Sequence, residues 1–65
     1  MTRNQRQIAV KTAISELSDL GKHEYEQYTR ALHSGASQAA REIEDRLTAI
    51  NGALNFLGDL ANRYK

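Results

Sequence analysis

The 65-residue chain has no cysteine, no proline and no tryptophan, and its aromatic residues are one phenylalanine and three tyrosines. The absence of cysteine removes disulfides, thiolate metal sites and cysteine nucleophiles, and suits a reducing compartment, so a cytoplasmic location is expected. The absence of proline, with 26% charged against 40% hydrophobic residues, sets the chain apart from disordered segments and favours an ordered, all-helical domain. No stretch approaches the roughly 18 to 20 consecutive apolar residues that cross a bilayer. The polar residues 1–7 are not followed by a hydrophobic region of signal-peptide type. A soluble protein without a membrane partner is the expectation.

Excess charge is also scarce. A formal net charge of +1 argues against a nucleic-acid binder that relies on bulk charge, and equally against an acidic mimic of DNA. The distribution is less even than the total. Residues 1–11 and 59–65 together carry five cations (Arg3, Arg6, Lys11, Arg63, Lys65) against Asp59, a net +4, whereas residues 12–58 carry four cations against seven acids, a net −3.

What the chain has in abundance is helical periodicity. Ala36, Ala40, Ile43, Leu47, Ile50, Leu54, Leu57, Ala61 and Tyr64 are spaced alternately four and three apart. That period of 3.5 is the seam of a helix built to pack along another helix, and no strand can use it. Upstream, a 100° rotation per residue puts Val10, Ala13, Ile14, Leu17, Leu20, Gly21, Tyr25, Tyr28, Ala31 and Leu32 on one face of a helix spanning about residues 4–33. The stripe keeps its phase through Gly21, so one long helix is expected; a break there would give three helices instead. Ser34, Gly35, Ala36 and Ser37 are the one clear turn signal, with Ser34 or Ser37 expected to cap the second helix, about residues 37–63. Glu26 with Arg30, Glu42 with Arg46 and Asp59 with Arg63 place an acid four residues before a base, which supports an isolated helix by a few tenths of a kcal/mol per pair.

Two such helices joined by a short turn predict an all-α antiparallel hairpin, a single helical domain over residues 1–65. Its seam would combine Ile14, Leu17 and Tyr28 with Ile43, Leu47, Ile50, Leu54, Leu57 and Tyr64. A hairpin alone leaves this sequence incompletely covered, because Ala49, Ala53, Phe56 and Leu60 form a second apolar row beside the seam. Small cores usually contribute only ~3 to 5 kcal/mol, and with covalent staples absent, self-association is the remaining one. The expected assembly is a homodimeric four-helix bundle, antiparallel so that each basic end meets the acidic middle of its partner; the alternative is the three-helix monomer.

The groups that carry chemistry point away from an enzyme. His23 and His33 are the only imidazoles; Asp19 shares a helix face with His23, but two ligands make no metal site, and no Glu precedes either His by three. Glu24 lies within the apolar stripe, where a carboxylate can serve as a general base, yet no nucleophile, second catalytic carboxylate or phosphate-binding glycine loop accompanies it. A residue that sets pairing register, or bonds a tyrosine hydroxyl, is the simpler reading. No cofactor or metal is therefore expected. Tyr25 and Tyr28 are read as packing residues with their hydroxyls at the rim. The expected function is a small non-enzymatic interaction or regulatory module that contacts an unidentified protein through Phe56, Leu60, Ala53 and Ala49, of a size that suits a phage or mobile-element accessory gene. The alternative is an RNA-binding four-helix-bundle dimer that uses Arg3, Arg6, Lys11, Arg63 and Lys65 with Tyr25.

Overall fold

A computed structural model describes residues 1–64. Two helices, α1 (Arg3–His33) and α2 (Ser37–Arg63), pack against each other along their length. α1 begins with a capping box: Thr2 Oγ1 accepts from the Gln5 amide at 3.1 Å, and the Thr2 amide donates to Gln5 Oε1 at 2.8 Å. Two of the otherwise unpartnered groups at the helix start are thereby satisfied. The pair measures 48 × 15 × 15 Å, a rod with no layer behind it.

The helices meet at a turn of left-handed type. Gly35 has φ +77°, the Ala36 amide donates to the Ala31 carbonyl at 2.9 Å, and the Gly35 amide donates to the Leu32 carbonyl at 3.2 Å. These two bonds close the end of α1 in a Schellman motif. The turn corrects the expectation that Ser34 or Ser37 caps α2. Ser34 closes α1, its hydroxyl donating back to the Ala31 carbonyl at 3.1 Å; Ala36 is the first residue of α2's cap and makes no side-chain cap bond. Once the glycine reverses the chain in a single residue, Ser37 already lies inside the helix, where its hydroxyl is out of place for capping.

α1 runs unbroken through Gly21, which removes the three-helix alternative. Gly21 faces α2: a Cβ placed on it would lie 3.6 Å from Ile50 Cγ2. The seam residues of α2 are buried at Ala40, Ile43 and Ile50 and half-buried at Leu47, Leu54, Leu57, Ala61 and Tyr64, while Ala36 is exposed at the cap. On α1, Val10 and Ala31 are buried, and Ile14, Leu17, Gly21, Glu24 and Tyr28 are half-buried between them, again at alternating spacings of four and three. Around Ala31, Ala40 and Ile43 the core closes best, with Tyr28 and Leu47 packed against it. The broad apolar stripe of α1 is thus split. Leu20, Tyr25 and Leu32 are exposed, on the flanks of the seam, because two helices in contact can cover only a narrow line of each.

Gly52 and Gly58 have open space where a Cβ would go and sit in the interior of α2. Replacing both with alanine is expected to raise stability by about 0.5 to 1 kcal/mol per site, the helix-propensity difference between the two residues. Thermal melts at one protein concentration check this; a loss of stability would show that another chain approaches the backbone there.

Candidate interaction surface

Among the described residues, the one carboxylate built into the seam is Glu24. Its side chain is 15% exposed, and both Nε and Nη2 of Arg46 donate to its Oε2 at 3.0 Å. Arg46 lies 22 residues away in sequence and on the other helix, so the pair ties the two helices together at one level. Arg46 was expected to support its own helix through Glu42, and Glu24 to set pairing register or bond a tyrosine hydroxyl; the tertiary fold joins these two groups to each other. A charge entering the seam is less costly when a guanidinium satisfies it, and the gain is modest, about 1 kcal/mol or less, because Arg46 is 54% exposed. The bond favours one axial alignment of the helices over slipped ones, the register role expected of Glu24.

Arg46 also opens the second row of α2. Arg46, Ala49, Ala53, Phe56, Leu60 and Arg63 follow one another at spacings of three and four along one side of the helix. Ala49 and Phe56 are exposed, Phe56 at 68%, and Ala53 and Leu60 are half-buried. By helical phase, Ala13 and the exposed Leu20 of α1 flank the seam on this same side of the hairpin. The result is an apolar surface drawn from both helices and bounded by the Glu24–Arg46 pair toward the turn and by Arg63 toward the termini.

The opposite side differs in shape and chemistry. Gly21 supplies no side chain, and an open groove of about 680 Å³ runs beside it, floored by Leu47, Ile50 and Leu54 and walled by Ser18, Lys22 and Tyr25. Tyr25 and Tyr28 are a tilted pair, ring centroids 6.3 Å apart, but Tyr28 packs inward while Tyr25 is 62% exposed at the groove. Arg3 and Arg6 in the first turns of α1 and Arg63 at the end of α2 do share one end of the rod, and Lys11 is exposed two turns further along. Lys65 lies outside the described residues. Tyr25 is about 29 Å along the helix from Arg6, by the rise of 1.5 Å per residue, so within one hairpin the aromatic and basic parts of the RNA-binding alternative lie apart.

His23 and Asp19 are exposed on α1, and no group of three or more metal-ligating side chains occurs among the described residues. Among those residues, too, no helix is long and apolar enough to cross a membrane. No family model, no curated protein and no solved structure matches the chain.

Proposed function

We propose that this chain is a small non-enzymatic helical module that acts by protein–protein contact and assembles as a homodimeric four-helix bundle. The observation that carries the reading is the exposed apolar row Ala49, Ala53, Phe56 and Leu60 with Leu20 beside it, on a hairpin too thin to cover it. A contiguous apolar surface bounded by charged residues is what monomers avoid and contact surfaces use. A regulatory role in the cytoplasm, in a compact phage or mobile-element genome, suits a cysteine-free chain of this size.

Sedimentation equilibrium at micromolar concentration tests the assembly. A mass twice 7.3 kDa is expected; a mass near 7.3 kDa overturns the homodimer. Retention on immobilised RNA tests the mode of action. The module should elute at low salt, whereas strong retention that falls steeply with salt would transfer the reading to RNA binding.

A further inference from the structure

We infer that the Phe56 face is occupied by a second copy of the chain, related by a two-fold axis that passes close to Ala53 and runs the two hairpins antiparallel. The inference rests on the homodimer reading, gives to the second copy the face that the sequence offers to another protein, and adds the pivot and the direction.

Area points to a second copy. The chain exposes 4971 Å², whereas a compact monomer of 7.3 kDa exposes about 4,200 Å². The excess of about 800 Å² is surface that a rod without a second layer leaves open, and it is of the size that each partner contributes to a standard stable interface. Its radius of gyration, 14.9 Å, likewise exceeds the 11 Å or so of a compact chain of this length. Among the described residues, no side chain is more than 98% buried, so the hairpin lacks the closed core that a second layer would complete.

The pattern of the face sets the pivot. Small residues at Ala49 and Ala53 allow helices to approach closely, and Phe56 and Leu60 on one side of them with Leu20 on the other supply the bulk that fills the space around that approach. The row from Ala49 to Leu60 is centred between Ala53 and Phe56. A two-fold axis there brings Ala53 of each copy close to its counterpart and lays each Phe56 over the α-helical surface of the other copy, a self-complementary contact of the kind that closes a dimer.

Charge sets the direction. Arg63 lies eight to nine residues from that centre toward the termini, and Asp45 with Glu42 lies a comparable distance or more toward the turn. An antiparallel copy therefore sets Arg63 beside Asp45 and Glu42, and level with Arg46, whose charge is already met by Glu24 of its own hairpin. A parallel copy would set Arg63 beside Arg63 and the acids beside each other, like charges that disfavour the arrangement. The groove at Gly21 lies on the opposite side and stays open in this assembly.

Because the chain has no cysteine, single introduced cysteines report on the arrangement without background. Under oxidation, Ala53→Cys should form a disulfide-linked dimer, the two sites being near the axis. Ala49→Cys should not, because the antiparallel copies hold these sites about 16 Å apart along the bundle, beyond the reach of a disulfide. Phe56→Asp should keep its helicity and sediment at half the wild-type mass. A wild-type mass near 7.3 kDa would remove the homodimer itself. A dimer that survives Phe56→Asp, or one that crosslinks at Ala49 as readily as at Ala53, would leave the homodimer standing and overturn the face or the direction inferred here.

Discussion

Replacing Ile50 with alanine is expected to lower stability by about 2 kcal/mol or somewhat more, the lower part of the range for buried aliphatic truncations, because the site borders the open groove. Ile50 is 8% exposed, and the residue facing its Cγ2 is Gly21. Gly21 has no side chain to move into the space left by the truncation, so the lost contacts are not replaced, and that space opens onto the groove where water can enter. The loss is a large fraction of the stability of a 65-residue fold. Denaturant melts at one fixed protein concentration measure it, since association raises apparent stability by mass action. A second variant sharpens the test. Gly21→Ala places its methyl at ordinary contact distance from Ile50, and the same truncation of Ile50 should cost less in that background. A cost below about 1 kcal/mol for Ile50→Ala, of the size seen at exposed sites, would mean that Ile50 lies outside the packed seam.

Gly35→Val is expected to cost about 2 kcal/mol. Gly35 is the described residue with a positive φ, +77°, and the left-handed region costs an L side chain roughly 1 to 2 kcal/mol, with a β-branched residue at the unfavourable end. No atom lies within 4 Å of where its Cβ would stand, so the penalty is one of backbone conformation and not of collision. Gly35→Asn should therefore retain most of the stability, because asparagine tolerates this conformation. Thermal melts of the two variants decide the matter; equal losses for Val and Asn would place the cause in contacts. The sign is opposite to that expected at Gly52 and Gly58, where the backbone is helical and alanine is the better residue.

The two-helix layout was legible in the sequence because both helices repeat their apolar residues at helical spacing, and the turn because the small residues Ser34, Gly35, Ala36 and Ser37 separate two periodic segments; the left-handed conformation of Gly35 came from the structure. The second row, Ala49, Ala53, Phe56 and Leu60, was legible for the same reason: it follows from phase alone once the seam of α2 is known. Cap details were less so. Serine at a helix start is a good capping residue in general, and only the Schellman geometry shows that Ser34 serves the end of α1 while Ala36 holds the cap position of α2.

From the chain alone came the helical class, the place of the turn and the line along which α2 packs, all local consequences of helical spacing; that α1 continues through Gly21 came from the structure. The tertiary structure decided the rotation of α1 and its alignment with α2. The apolar stripe of α1 is wide enough to admit several contact lines, and packing chose the one through Gly21 and Glu24, leaving Leu20, Tyr25 and Leu32 outside. It also decided that Glu24 meets Arg46, a pairing across 22 residues that no periodicity within either helix encodes. Spacing along a helix reports which residues share a side of it, whereas the partner of each side is set by the free energy of covering two surfaces at once, a property of the pair of helices and not of either one.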